Sequence, residues 1–154
     1  VKKISKQITG IGLKNHIFLI KKFFKSHFNK NVNIAITGLN PHCESNYNDS
    51  EEEKIIKPTI KKLQKIFSKL SGPFPADSLF IAQNIKKYDV IIGMYHDQVL
   101  TPIKTIYNFD AINITLGLPY LRISPDHGPN NEMLGKNKSN PTSLISAIKF
   151  LDNK

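Results

Sequence analysis

The sequence predicts an α/β domain built on a largely parallel sheet. Three strand-like segments, residues 32–37, 89–94 and 111–116, are rich in β-branched side chains. They alternate along the chain with segments in which apolar residues recur at helical spacing, over 14–28 and from about residue 51 onward. Because strands that alternate with helices usually build parallel sheets, this order of segments indicates the α/β class.

The first half of the chain carries a helix, a strand and a second helix. The strand at 32–37 ends at Gly38 and leads into a loop. Ser50 and Glu53 have the spacing of a capping box, which predicts a helix beginning near Glu51. Pro58 predicts a kink in that helix. Its apolar stripe comprises Ile56, Ile60, Leu63, Phe67 and Leu70. Residues 71–77, Ser-Gly-Pro-Phe-Pro-Ala-Asp, are predicted to end the helix and form a rigid loop.

The second half begins with a short helix over 81–86, followed by the strand at 89–94 and a helix over 98–106. After the strand at 111–116, a short extended piece spans 120–123. A long polar loop over 124–140 contains a turn near 132–134. Asn140 and Pro141 predict the start of a last helix, with asparagine as the N-cap and proline at the first position.

Composition narrows the class of protein. The 154 residues suffice for one domain with its own core. The longest apolar runs are far too short to span a membrane, and the N-terminus has no apolar segment of the signal-peptide kind. A single cysteine, Cys43, excludes an internal disulfide. These features together favour a cytoplasmic protein. The chain does not begin with methionine, so residue 1 need not be the start of the parent chain.

The charge of +10 raises the question of nucleic-acid binding. The lysines are spread along helical segments without interleaved aromatic residues, so a solvated lysine-rich surface is the preferred interpretation. Arg122 is the one arginine among 22 basic residues. A guanidinium can bind a phosphate or a carboxylate through two parallel hydrogen bonds, which an ammonium cannot do.

Two histidines follow predicted strands and are the candidate metal ligands. His42 lies in the loop after 32–37, and His96 lies in the loop after 89–94. Ligands collect at the carboxyl ends of strands in open α/β sheets, and neutral imidazole is a good metal ligand. Asp97 and Asp77 are the candidate catalytic carboxylates and could also supply oxygen to a metal. The alternative is that these are ordinary loops between strand and helix.

A second group of polar residues follows His96. Lys104, Asn113 and Arg122 offer a point charge, an amide and a planar fork of donors. Such a set suits a phosphorylated or carboxylated small molecule.

Five motifs carry a resemblance to a known family. They are Gly38-Leu39-Asn40-Pro41-His42, the nine residues from Gly72 to Phe80, Met94-Tyr95-His96-Asp97-Gln98, the seven residues from Asn113 to Pro119, and Asp126-His127-Gly128. In their order and spacing the chain resembles the C-terminal half of the 4-hydroxythreonine-4-phosphate dehydrogenase family. The resemblance extends over essentially all 154 residues. It implies a three-layer fold of the isocitrate and isopropylmalate dehydrogenase type, with helices on both faces of the sheet.

The resemblance also implies an activity. The family oxidises 4-phosphooxy-L-threonine with NAD or NADP and a divalent metal (Zn, Mg or Co), and the 3-keto acid formed loses CO₂ in the biosynthesis of pyridoxal 5'-phosphate. His42 and His96 match two of its three metal-binding histidines. Lys104, Asn113 and Arg122 match its substrate-binding positions. The family works as a homodimer whose sites are shared between subunits.

The tail resembles the cofactor loop of the wider dehydrogenase group. The matching pairs are His127-Gly128, Gly135-Lys136 and Asn140-Pro141. The resemblance implies that His127, Gly128 and Asn140 lie on the cofactor side, with His127 binding the dinucleotide rather than the metal.

The chain departs from the family in two respects. Residues 43–47 after His42 contain no glycine, whereas the family has a glycine-rich stretch there. The family's N-terminal half, with the third metal histidine, has no counterpart in residues 1–154. We therefore expect the chain to be the C-terminal portion of the dehydrogenase and inactive alone. The alternative is a non-catalytic remnant that binds a phosphate or a nucleotide.

Overall fold

The computed structural model describes residues 2–43, 48–128 and 131–152. Contacts divide the chain into two compact units, Val1–Val99 and Leu100–Lys154. The first unit contains α1 (Lys2–Ser5), α2 (Gly10–Phe28), β1 (Ile34–Thr37), α3 (Lys57–Gln64), β2 (Leu70–Phe74), α4 (Ala76–Leu79), α5 (Ala82–Ile85) and β3 (Val90–Ile92). The boundary falls within α6 (His96–Tyr107), and the second unit adds β4 (Ile112–Thr115), β5 (Arg122–Pro125) and α7 (Thr142–Asp152). No helix in the described ranges is both long enough and apolar enough to cross a membrane.

A three-stranded parallel sheet forms the centre of the first unit. Its order is β2-β1-β3, and Ile34 of β1 lies opposite Leu70 of β2 and Val90 of β3. All four residues of β1 are buried, as expected for a central strand of a parallel sheet. Isoleucines of β1 form one core with apolar side chains of α2, α3 and β2. The α/β class and the parallel sheet predicted from the sequence are therefore confirmed.

Strand β2 corrects the sequence analysis, which assigned Leu70 to a helical stripe and residues 71–77 to a loop. Leu70–Phe74 is a strand, and it is an edge strand, where proline is tolerated. Gly72 explains the local backbone, since it has a φ of 131°, and a Cβ there would lie 2.5 Å from the carbonyl oxygen of Ile36. The glycine that predicts a turn in the sequence instead allows β2 to lie close to β1.

The helix after the Ser50 cap begins with a wider turn than the sequence predicts. The Ser50 hydroxyl accepts the backbone N–H of Glu53 at 3.2 Å, which confirms the cap. A π-helical turn, Glu52–Ile56, then precedes α3. Pro58 lies in the first turn of α3 and closely follows this π-helical turn, so the helix continues through the proline. The helix ends at Gln64, so only the first part of the predicted apolar stripe, through Leu63, is helical.

The second unit contains an antiparallel pair of strands, not a continuation of the parallel ladder. β4 pairs with β5, with Asn113 opposite Ser124 and Thr115 opposite Arg122. Helix α7 packs against both strands. The side chain of Asn140 accepts the backbone N–H of Thr142 at 2.9 Å, which confirms the predicted cap of the last helix.

Candidate functional site

Three loops of the first unit leave the same edge of the parallel sheet. They follow β1, β2 and β3. His42 lies within the first loop, whereas the second loop leads to Asp77 in α4 and the third to His96, which is the first residue of α6 and not a loop residue as the sequence predicts. Because the three strands are parallel and neighbouring, their carboxyl ends lie side by side. The structure therefore places both candidate histidines and one candidate carboxylate at the edge where the sequence predicts them.

His96 is the first residue of α6 and has a carboxylate partner. Its Nδ1 lies 2.7 Å from Oδ1 of Asp97, and both side chains are largely exposed, at 75% and 81%. A carboxylate bonded to one ring nitrogen fixes the orientation of an imidazole and leaves the other nitrogen to bind a ligand. Asp97 thus orients His96, as the neighbouring residues in the sequence suggest.

His42 lies in a loop organised by Asn40 and Glu52. The side-chain oxygen of Asn40 accepts a hydrogen bond from the backbone N–H of His42 at 3.0 Å. The backbone carbonyl oxygen of Asn40 accepts one from the backbone N–H of Cys43, also at 3.0 Å. The buried carboxylate of Glu52 accepts the Asn40 N–H at 2.6 Å. These bonds fix the loop while the His42 side chain stays exposed.

Cys43 adopts the left-handed backbone conformation, with a φ of 53°. Non-glycine residues rarely adopt this conformation, so the backbone of Cys43 is in a conformation that is typical of glycine. Burial raises the pKa of the Cys43 thiol, a backbone hydrogen bond at Gly38 opposes the rise, and the Glu52 carboxylate adds to it. The thiol is therefore a poor thiolate ligand. Residues 44–47 of the glycine-free stretch lie outside the described residues.

Asp77 lies in α4 and is exposed. Its Oδ1 accepts the backbone N–H of Ser78 at 2.6 Å. The other carboxylate oxygen has no described partner and remains available to a ligand or a proton. The short helix α4 itself was not predicted from the sequence.

A cavity of about 470 Å³ borders the loop that carries His96. Tyr95 and His96 line it, together with Thr9, the N-cap of α2, and His16 within α2. The side chain of His16 is exposed. Its position on the cavity wall could not be inferred from the sequence, because 80 residues separate it from His96.

The donor types at this edge suit a divalent cation, since imidazole nitrogen and carboxylate oxygen both bind Zn²⁺. Within residues 2–43, 48–128 and 131–152, no three His, Cys, Asp or Glu side chains come together as a metal-holding group. His42, His96 and Asp77 therefore have donor atoms of suitable chemistry, but among the described residues they do not form such a group.

Lys104, Asn113 and Arg122 all fall in the second unit. Asn113 and Arg122 lie on one face of the β4–β5 pair, because residues 113 and 115 share a face with their partners Ser124 and Arg122. Nη1 of Arg122 donates to Oγ1 of Thr115 at 2.9 Å. Both Asn113 and Arg122 are exposed and therefore accessible to an anion.

Lys104 is held by Asp126, the residue that directly follows β5. Its Nζ lies 3.0 Å from the Asp126 carboxylate and also donates to the Asp126 carbonyl oxygen. The backbone N–H of Asp126 donates in turn to the buried hydroxyl of Ser143 at 2.8 Å. This chain of bonds fixes the position of the Lys104 ammonium relative to the strand that carries Arg122.

The predicted cofactor residues follow on the same unit. His127 and Gly128 are exposed, with Nδ1 of His127 3.2 Å from the carbonyl oxygen of Gly128. Asn140 uses its side-chain oxygen to cap α7. A surface depression of about 390 Å³ lies in the same loop and is lined by Met133, Leu134, Gly135, Asn137 and Ser139.

Comparison with known families identifies the chain. The family model described as "Pyridoxal phosphate biosynthetic protein PdxA" matches residues 1–151. The chain belongs to the PdxA family. Two curated relatives named 4-hydroxythreonine-4-phosphate dehydrogenase are similar to it. The one from Bradyrhizobium diazoefficiens is 41% identical over 146 residues, and the one from Sulfurihydrogenibium sp. is 40% identical over 152 residues.

Solved structures of the same family agree with the fold. The 4-hydroxythreonine-4-phosphate dehydrogenase of Klebsiella pneumoniae matches 97% of this chain with a TM-score of 0.79 and 28% identity. That of Burkholderia phymatum matches 96% with a TM-score of 0.74 and 29% identity. The chain spans less than half the length of these PdxA relatives, 42% and 47% of the two curated proteins and 46% and 45% of the two structures.

Proposed function

We propose that this chain supplies the metal-binding and substrate-binding part of a 4-phosphooxy-L-threonine dehydrogenase. The proposed reaction is the oxidation of that substrate with NAD or NADP, followed by loss of CO₂, in pyridoxal 5'-phosphate biosynthesis. The observation that carries the proposal is the placement of His42 and His96 at one edge of one sheet, in a chain that matches the PdxA family model over residues 1–151. We further propose a cytoplasmic homodimer with shared sites.

The residues would divide the work by their chemistry. His42 and His96 would hold a divalent cation (Zn, Mg or Co), which supplies Lewis-acid polarisation when bound, while the nicotinamide accepts the hydride. Lys104, Asn113 and Arg122 would bind the phosphate and carboxylate of the substrate. His127, Gly128 and Asn140 would contact the adenosine end of the dinucleotide.

The reaction requires a base that accepts the hydroxyl proton of the substrate, and the two carboxylates are candidates for this role. In the proposed oxidation the hydroxyl proton would pass to Asp97 or Asp77, and a nicotinamide, when bound, would supply the acceptor for the hydride of carbon 3. Both carboxylates are exposed at the sheet edge and can accept a proton. In the 3-keto acid the bond between carbon 2 and the carboxylate carbon then breaks, CO₂ leaves, and a proton takes its place on carbon 2.

A second candidate function is a non-catalytic domain that binds a phosphate or a nucleotide. The observation that favours it is that no three metal donors converge in the described part of the chain. This alternative predicts that the chain binds phosphorylated ligands equally well with and without a divalent cation. The dehydrogenase proposal predicts that the cation strengthens binding of 4-phosphooxy-L-threonine.

Titration with Co²⁺ tests the proposed role of the histidines. The purified chain of 154 residues is titrated and followed by visible absorption and calorimetry, with His96→Ala and His27→Ala as a matched pair. His27 is also an exposed histidine, but it lies in α2. We expect His96→Ala to weaken Co²⁺ binding about tenfold or more and His27→Ala to leave it within about twofold. Equal affinity in the wild type and His96→Ala would remove the basis of the proposed metal site.

A further inference from the structure

The side chain of Gln98, which lies in α6, bonds to two segments of the first unit, the end of β1 and the loop after β3. Its Oε1 accepts the Thr37 hydroxyl at 2.7 Å and the Met94 backbone N–H at 2.8 Å. Its Nε2 donates to the Gly38 carbonyl oxygen at 2.7 Å. Gln98 is 7% exposed and Thr37 is fully buried. Hydrogen bonds in such an environment are stronger than at the surface, and losing a partner is more costly.

The hydrogen-bond partners determine which position of the Gln98 carboxamide is occupied by the oxygen and which by the nitrogen. A backbone N–H can only donate and a carbonyl oxygen can only accept, so Met94 requires the oxygen and Gly38 requires the nitrogen. Oxygen and nitrogen of one planar amide therefore bond to two different segments. Gly38 begins the loop that carries His42, called here the His42 loop, and Met94 lies in the loop between β3 and α6, which leads to His96 and is called the His96 loop.

We propose that Gln98 is a positioning residue that sets the separation of the His42 loop and the His96 loop. The inference rests on the proposed function, in which these two histidines bind one metal ion. Metal ligands must be held close to their final geometry by supporting contacts, since otherwise part of the binding energy is lost in ordering them. A rigid amide bonded to both loops provides that support.

Other side chains at position 98 would lose the connection. Methionine has a similar length but leaves the Gly38 oxygen and the Met94 N–H without a protein partner. Glutamate keeps an acceptor for Met94 but directs a second acceptor at the Gly38 carbonyl. Only a carboxamide of this length offers both a donor and an acceptor to the two loops.

Hydrogen exchange measured by NMR on the whole chain tests the proposal without any metal. The variants are Gln98→Met, which keeps the length of the side chain, and Gln98→Ala, which leaves space for water. Thr37→Val is the matched control, because it removes a bond to the same carboxamide but leaves both loop bonds in place. The reporters are the amides of His42 and Cys43, whose partner is Asn40 and not Gln98.

The proposal predicts a selective effect in the loop. Both Gln98 variants should speed exchange at the His42 and Cys43 amides about tenfold more than at the core amides of β1, which report global stability. Thr37→Val should change loop and core amides in proportion. The proposal is wrong if the Gln98 variants speed exchange of the loop amides and the β1 amides by the same factor. It is also wrong if Thr37→Val speeds exchange of the loop amides as much as the Gln98 variants do, since Gln98 would then be a core residue only.

Co²⁺ titration of the same variants separates this proposal from the proposed function. Co²⁺ affinity should fall about tenfold in Gln98→Met, with a changed visible spectrum, and stay within about twofold in Thr37→Val. Wild-type affinity and spectrum in Gln98→Met, with His96→Ala impaired, would overturn the positioning role and leave the metal site standing. If the wild-type chain binds no Co²⁺, the proposed metal site fails, and the exchange rates still decide whether Gln98 couples the loops.

Discussion

At the scale of single residues, candidate side chains within each unit are oriented by a neighbour. Asp97 orients His96, and Thr115 accepts a hydrogen bond from Arg122. The residue types could be selected from the sequence, because imidazole, carboxylate and guanidinium each have a recognisable chemistry. The partner of Arg122 could not, because it follows from the register of β4 against β5, which places Thr115 directly opposite.

Arg122→Lys should weaken substrate binding although the charge is kept. A guanidinium can bond to two anion oxygens at once, and an ammonium cannot reproduce that planar fork. We expect the dissociation constant of 4-phosphooxy-L-threonine, measured by calorimetry, to rise about tenfold. Lys149→Gln, which removes a charge from an exposed site in the same unit, should change it less than about twofold. An unchanged constant in Arg122→Lys would exclude a bidentate contact.

At the scale of secondary structure, an element can be predicted from the sequence when its local residue pattern favours the same structure as its tertiary contacts. β1 and β3 are runs of β-branched residues that end at polar loops, and both are strands. β2 contains Gly72 and Pro73, which locally favour a turn, and it becomes a strand through pairing with β1. The bonds of Gln98 likewise join residues about 60 positions apart, and no local pattern announces them.

Gly72→Ala should destabilise the first unit. The new Cβ would lie 2.5 Å from the Ile36 carbonyl oxygen, and the φ of 131° is strained for any residue with a side chain. We expect the free energy of unfolding to fall by about 2 kcal/mol in urea denaturation. Gly128→Ala is the control, because a Cβ at Gly128 would have no atom within 4 Å, and it should have little effect. Equal stability of the two variants would contradict the close approach of β2 to β1.

Asp89 contributes a pH-dependent link between the segments that precede β1 and β3. A hydrogen bond from Lys30 lowers the pKa of the Asp89 carboxyl, and the backbone N–H of Asn33 lowers it further. A carboxyl whose pKa is lower in the folded state stabilises the fold above its unfolded pKa, about 3.9. That stabilisation is lost as the pH falls through the lower folded pKa.

Asp89→Asn should therefore be less stable than the wild type at pH 7 and approach it at about pH 3, where the carboxyl is increasingly protonated. Denaturation at the two pH values measures the difference. Asp152→Asn, at an exposed position near the end of α7, should match the wild type at both. A deficit for Asp89→Asn that is independent of pH would show that packing, not charge, is responsible.

At the scale of the whole molecule, the chain belongs to the PdxA family. It spans less than half the length of its curated relatives, and the described residues bring no three metal donors together. We expect a further metal ligand and part of the substrate pocket to come from outside residues 1–154. The family and the edge of the sheet that carries the histidines could be predicted from the sequence, because motifs and their order are visible without knowledge of tertiary contacts.

The most direct test of this account is an assay of NADH formation. The purified chain is given a divalent metal, NAD and 4-phosphooxy-L-threonine, alone and together with a separately produced N-terminal half of a PdxA relative. Orientation of the reacting groups commonly contributes several orders of magnitude to a rate, so the chain alone should show no turnover. Turnover should appear in the mixture and be abolished by His96→Ala. Turnover by the chain alone within about tenfold of a full-length relative, or activity in the mixture that survives His96→Ala, would contradict it.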